Sequence, residues 1–205
     1  MNLIENYCAN KKVIHVGFAD HVGLIETKIA KNEWLHNRLR NVSTRCIGID
    51  INEEAVNFIS KEFQIPDVYT YDLIHGDPFQ PLLDDQWDLL VLAEIIEHVD
   101  NPELFLRVLY EKYKDVVKGM LITAPNAFWF KNATGFIRRN EHINSDHRYW
   151  FSPYTLAKIG CRAGWLPVEF EYSAGIGYPI RFLYQMFPMF GESVVMLFTP
   201  NSNDK

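Results

Sequence analysis

The chain has 205 residues, 48% apolar, 22% charged and 14% aromatic, which is enough for a single domain across 1–205 with its own hydrophobic core. Its formal net charge of −6 weighs against DNA as a partner, because neutralising phosphates dominates nucleic-acid affinity. Three scattered cysteines without a C-x-x-C, no apolar run long enough to span a bilayer, and an opening "MNLIENYCANKK" without a basic-then-apolar order predict a reduced, cytoplasmic protein with no stable membrane insertion.

Strand-like apolar runs alternate with helical patterns. "KVIHVG" reads as a first strand, followed by a helical stretch over about Val22 to Leu39. "RCIGID" is a second strand, and Asn52 can cap the helix that begins "NEEAVNF". "DVYTYD" is a short third strand. "WDLLVLAE" is a fourth, apolar on both faces as a central parallel strand should be. "DNPELFLRVLYEKYKDVVKG" reads as a helix with Asp100 or Asn101 as cap, Pro102 at its first position and Gly119 as its end. "GMLITAPN" is a fifth strand. The pattern then breaks over 127–151, a polar and aromatic loop long enough to be functional. A helix returns at "SPYTLAKIGCRAG", with Ser152 as cap, and strands follow at "WLPVEFEY" and "ESVVMLFT". Between those two strands, "GYPIRFLYQMFPMFG" suits a substrate cover or a homodimer contact. Its one basic residue, Arg181, gives no support for binding to a membrane surface.

This alternation predicts an α/β fold with a mostly parallel sheet and helices on both faces. Such sheets bind ligands at the carboxyl ends of their strands, where Gly17, Asp50, Asp72, Glu94 and Asn126 fall. A glycine at 17 lets a ligand approach the backbone. A carboxylate at Asp50 suits the two hydroxyls of a ribose, and Asp72 is placed for an adenine amino group. The turn after Gly17 carries Ala19, Asp20 and Gly23 where a dinucleotide site needs G-x-G-x-x-G, and no Walker lysine motif is present. An adenosyl ligand without phosphates fits better. Asp20 would repel a pyrophosphate but suits a cationic sulfonium and its ammonium group.

"VIHVGFADHVG", "CIGIDINEEAV", "YDL", "WDLLVLAEIIEHVDNPELFL" and "GMLITAPNAF" resemble the successive motifs of class I S-adenosylmethionine-dependent methyltransferases, and "HRYWFSPYTLAKIGCRAGW" resembles the segment before their sixth strand. Within that family, "HVG-x-A-D" looks most like a subset that methylates bacterial surface glycans and related small molecules. The resemblance implies a Rossmann-like seven-stranded sheet with an antiparallel last strand, and S-adenosylmethionine as cofactor. It implies that Gly17 and Ala19 line the methionine part, Asp50 holds the ribose, Ile51, Asp72 and Leu73 meet the adenine, and Glu94 sits beside the cofactor. His15 stands where the family usually has an acid, Ala19 replaces the second glycine, and Asp50 follows Gly17 by an unusually long interval, so the first helix is expected to be extended or doubled.

Methyl transfer to a hydroxyl needs alignment and a route for the proton. "AEIIEHV" brings Glu94, Glu97 and His98 to the end of the fourth strand, and the long loop adds His142 and His147. The favoured catalytic set is Glu97, His98 and His147, with His98 or His147 as base. Glu94, Glu97, His98 and His147 as ligands for Mg²⁺ or Mn²⁺ is the alternative, resembling small-RNA 2′-O-methyltransferases. No metal is assigned, because carboxylate and imidazole together suit many uses. The loop 127–151 is expected to act as a lid on the acceptor side, with Trp129, Arg139, His142 and Tyr149 touching the substrate, while Phe128 and Phe151 pack inward. His15 is expected to be a core histidine. His21, His36 and His75 carry no functional case. The expected function is O-methylation of a small-molecule or glycan-linked hydroxyl. The competing readings are metal-dependent RNA 2′-O-methylation and a non-catalytic adenosyl-ligand-binding subunit.

Overall fold

The structure, a computed structural model, describes residues 3–19, 22–137, 139–141, 143–173, 184 and 186–202. In chain order the elements are α1 (Leu3–Cys8), β1 (Lys12–Val16), α2 (Val22–Ala30), α3 (Leu35–Val42), β2 (Arg45–Asp50), α4 (Glu53–Glu62), β3 (Val68–Thr70), α5 (Gln80–Leu83) and β4 (Leu89–Ala93). They continue as α6 (Pro102–Tyr113), β5 (Met120–Pro125), α7 (Phe130–Ile137), α8 (Pro153–Arg162), β6 (Trp165–Ser173), a 3₁₀ turn (Pro188–Phe190) and β7 (Ser193–Pro200). The strands form one seven-stranded sheet in the order β3-β2-β1-β4-β5-β7-β6. β1 pairs in parallel with β2 and β4, and β2 with β3. β6 and β7 are antiparallel, with an irregularity between Pro167 and Glu169. Among the described residues, no helix is long and apolar enough to cross a membrane.

By contacts the chain divides into two compact units, Met1–Leu92 with Glu111–Met120, and Ala93–Tyr110 with Leu121–Lys205. In the first, Phe18, Ile25, Trp34, Val56, Ile59 and Ile65 form a buried cluster. The expected helix over Val22 to Leu39 is two helices. The chain turns at Asn32, whose φ is 55°, and Trp34 then anchors the turn by donating its indole N–H to the Phe18 carbonyl at 3.0 Å. His15 is a core histidine, as expected, and its Nδ1 lies 3.2 Å from Nδ1 of His36, which is also fully buried. Gly48 leaves room for this pair, since a Cβ there would stand 2.7 Å from the Phe18 ring and 2.9 Å from His36. Asn52 caps α4 by accepting the Ala55 N–H at 3.1 Å.

α6 is capped by Asn101, which accepts the Leu104 N–H at 3.0 Å. The helix ends at Tyr113 rather than Gly119, because the chain turns there to bury Val117 beside Trp87 and begin β5. β5 is buried along its whole length. Trp165 donates its indole N–H to the Leu106 carbonyl at 2.9 Å. Ser152 and Thr155 form a capping box at the start of α8. The segment expected to be irregular after Asn126 contains a full helix, α7. The side chain of Asn126 secures its approach, donating to the carbonyls of Met189 and Gly191 and accepting the Phe128 N–H at 3.0 Å.

Candidate functional site

In the first unit the carboxyl ends of β1, β2 and β3 carry the expected cofactor residues. Gly17 follows β1 with φ of 67°, a conformation that costs an L side chain strain, and its N–H is held by the Ile49 carbonyl at 2.8 Å. Asp50 joins two strand ends. One carboxylate oxygen accepts the Ala19 N–H at 3.0 Å and the other the Asn52 N–H at 2.9 Å. Burial pushes its pKa up, opposed by these backbone donors. The glycine-poor loop is thus tied to the residue expected to bind the ribose. Ile51 is 75% exposed and therefore open to a ligand.

Asp72 differs in its bonding from the sequence expectation. Its Oδ1 accepts the N–H groups of Ile74 and His75 at 2.9 and 3.0 Å, and its Oδ2 lies 2.9 Å from His75 Nδ1. Slight burial would raise its pKa, but the bonds from His75 and Ile74 hold it below its ordinary value. The carboxylate organises its own loop, and Leu73 is buried. Asp20 lies outside the described residues.

The second unit holds the catalytic candidates. Glu97 is fully buried, and neither carboxylate oxygen has a hydrogen-bond partner among the described residues. Nε2 of His98 and Nε2 of His147 each stand 3.9 Å from its Oε1, and the two rings meet edge-to-face at 4.8 Å. One ligand atom from each of Glu97, His98 and His147 falls within 4.8 Å of the others. The Asp146 carbonyl lies 3.1 Å from His98 Nδ1, while Nδ1 of His147 is buried without a partner among the described residues. Burial and the neighbouring Glu94 push the Glu97 carboxyl up to about 9. Burial, then His98, pull His147 below its ordinary value, favouring neutral imidazole.

Glu94 follows β4 with φ of 53°, a strained conformation for this residue type. Thr123 holds it there: its hydroxyl donates to Glu94 Oε1 at 2.8 Å and accepts the Glu94 N–H at 3.1 Å. Glu94 reaches solvent through a cavity of about 560 Å³, whose wall also includes Trp129, His147, Trp150, Glu192 and Ser193. The protein atoms packed around its carboxyl desolvate the charged form and raise its pKa.

The structure brings together Glu94, Trp129 and His147 at that wall, with Glu97 and His98 grouped around His147. It does not bring Arg139 or Tyr149 among the described wall residues. Arg139 is exposed, and the Tyr149 hydroxyl instead donates to the Asp100 carbonyl at 2.7 Å. Arg148 also pairs with Asp100, and Lys131 lies 4.5 Å over the Trp129 ring. Phe151 is buried as expected, whereas Phe128 is 45% exposed. His142 lies outside the described residues. Sequence reasoning missed Glu192 and Ser193, which enter from the start of β7 with no motif to mark them, and Thr123, whose alternation in β5 reads only as core.

Residues 31–115 match a family model described as a methyltransferase domain. No curated protein matches the chain. Among solved structures the chain is similar to the small RNA methyltransferase HEN1, with a TM-score of 0.63 and 14% identity over 95% of this chain and 23% of that one. The chain therefore spans less than a quarter of that protein. It is similar to magnesium protoporphyrin IX methyltransferase (ChlM) from Synechocystis PCC 6803 with bound SAH, with a TM-score of 0.58 and 12% identity over 97% of this chain and 78% of that one. It is also similar to an S-adenosylmethionine dependent methyltransferase from Mesorhizobium loti, with a TM-score of 0.57 and 9% identity over 94% and 92% of the two chains. At these identities the likenesses establish the Rossmann-like fold.

Proposed function

We propose that this chain is an S-adenosylmethionine-dependent methyltransferase that methylates a hydroxyl of a small-molecule or glycan-linked acceptor with a divalent cation held by Glu97, His98 and His147, a reading supported by the methyltransferase-domain match over residues 31–115 and by the fold. The observation that carries the reading is the Glu97 carboxyl, fully buried, with no partner at hydrogen-bond geometry among the described residues, interacting with Glu94 and faced by two imidazoles. A buried carboxylate in that condition is costly unless something compensates it. One carboxylate and two imidazoles form a donor set that suits Mn²⁺ and related divalent ions, and they would hold Mg²⁺ less readily. Bound there, the ion would supply Lewis acidity, lowering the pKa of an acceptor hydroxyl.

The cofactor reading places the ribose at Asp50 and the adenine by Ile51 and the Asp72–Leu73 backbone. Its support is the Gly17 turn and the tie between Asp50 and Ala19. In the reaction, the acceptor oxygen bonds to the methyl carbon as the carbon–sulfur bond breaks. The bonding pair returns to sulfur and leaves a neutral thioether. Glu94 would take the hydroxyl proton, a role supported by its position on the cavity wall, its hydrogen bond from Thr123 and its raised pKa. Trp129 and Trp150 give the acceptor apolar surface and exclude water.

The same cluster supports a second reading, methylation of a ribose hydroxyl in RNA, which the likeness to HEN1 favours. The net charge of −6 and the pairing of Arg148 with Asp100 weigh against it. Calorimetry on chelator-stripped protein tests the proposal. S-adenosylhomocysteine should bind wild type and fail with Asp50→Ala, while Mn²⁺ should bind wild type and fail with Glu97→Gln. Cofactor binding without Mn²⁺ or Mg²⁺ binding would hand the proton to neutral His147 as a metal-free base. No cofactor binding at all would remove the enzymatic reading.

A further inference from the structure

The loop after β3 is gripped by two adjacent residues at the end of α6. Lys112 Nζ donates to the carbonyls of Leu73, Ile74 and Gly76 at 2.9, 2.8 and 2.7 Å. An ammonium has three donors, and here all of them go to one loop. Among the described residues no carboxylate pairs with Lys112. Carbonyl dipoles that converge on one point repel each other unless a cation sits between them. The loop's amides are fixed in the opposite sense: those of Ile74 and His75 point at the Asp72 carboxylate, and that of Gly76 at the Asp72 carbonyl at 3.0 Å. The closure is tight, since a Cβ on Gly76 would stand 2.7 Å from the Asp72 carbonyl oxygen and 2.9 Å from the Tyr71 hydroxyl. Next along the helix, the buried Tyr113 accepts the Phe79 N–H at 3.1 Å, and Phe79 stacks on Tyr71 at 4.3 Å. Both ends of the segment 71–79 are thereby secured.

We infer that Lys112 is the positioning residue that sets the loop presenting the adenine-facing backbone to the cofactor. The inference rests on the reading above that places the adenine at Ile51, Asp72 and Leu73. Lys112 touches no reacting atom. It acts by holding Leu73, Ile74 and Gly76 in one conformation before the ligand arrives, so that binding does not have to order them.

The test uses the full chain, with Lys112→Met and Lys112→Arg beside wild type. Calorimetry measures affinity for S-adenosylhomocysteine and for S-inosylhomocysteine, in which an oxygen replaces the adenine amino group. Wild type should prefer the adenine form. Lys112→Met should weaken S-adenosylhomocysteine by roughly tenfold, the equivalent of one lost hydrogen bond, and move the ratio of the two affinities toward one. Lys112→Arg, which keeps the charge but not the three-way donor geometry, should fall between them. An unchanged ratio in Lys112→Met overturns the inference, even if both affinities fall together, because a uniform loss reports general destabilisation. If Lys112→Met does not fold, the Lys112→Arg ratio decides in the same way. Wild type that binds neither ligand instead fails the cofactor reading itself.

Discussion

Acidification should weaken the first unit through a histidine pair that folds only in its neutral form. His15 and His36 are buried with their Nδ1 atoms 3.2 Å apart. Burial pulls the His15 pKa from 6.5 down to about 3, and burial followed by the neighbouring His15 pulls His36 well below its ordinary value. For a histidine with a depressed folded pKa, the stabilising contribution is complete above the unfolded pKa of 6.5 and is lost as pH falls from there toward the folded value. In that window the unfolded chain holds one more proton at this site, so stability falls by about 1.4 kcal/mol per pH unit. At pH 5 His15 alone should account for a loss of about 2 kcal/mol, a large share of a typical domain's stability. Glu94 and Glu97, with raised pKa values, act in the opposite direction over the same range, so the wild-type curve alone is not diagnostic. The informative comparison is urea unfolding of wild type and His15→Gln between pH 7.5 and pH 5. The variant should be the less stable at pH 7.5, having lost the ring stacked on His36. The gap should narrow by about 2 kcal/mol by pH 5. A gap that stays constant or widens would mean that His15 does not fold in its neutral form with a depressed pKa.

Gly17→Ala places a side chain at φ of 67° and should destabilise the fold by about 1–2 kcal/mol while weakening S-adenosylhomocysteine, read by urea unfolding and calorimetry. Gly160→Ala would set a Cβ 2.3 Å from the buried Phe198 ring and should cost about 1–3 kcal/mol in denaturant unfolding with cofactor affinity unchanged. Thr123→Val keeps the shape of the β5 residue but removes the hydroxyl between the Glu94 carboxylate and its N–H. It should cost about 1.5–3 kcal/mol in the same assay, and a neutral result would mean that Glu94 needs no such support.

The order of elements was legible because buried parallel strands such as "WDLLVLAE" and capped helices such as those starting at Asn52 and Ser152 are local patterns. The strand-end residues Gly17 and Asp50 were legible for the same reason, since chain order puts them at carboxyl ends whatever the packing. The cluster of Glu97 and His98 with His147 was readable as a list of residue types, but not as a contact. His147 arrives from a loop 49 positions on, fixed by the Arg148 N–H to the Glu97 carbonyl at 2.8 Å. The long interval from Gly17 to Asp50 announced an extended or doubled first helix, and it is doubled, but helical periodicity did not place the break between α2 and α3, where Trp34 is anchored to Phe18. Local pattern failed at α7, whose approach depends on Asn126 binding carbonyls more than 60 residues away.

Neighbours along the chain fix the alternation of strands and helices and the residues at the strand ends, so both are written in local pattern. Packing between distant segments set the partners those residues have within the fold. It turned Asp72 onto its own loop, gave the carbonyls of that loop to Lys112, withdrew Tyr149 and Arg148 to Asp100, and brought Glu192 to the wall beside Glu94. Hydrogen bonds and burial between distant segments carry no periodic trace in the sequence, and they set which carboxylates are satisfied and which, like Glu97, are left to face another group.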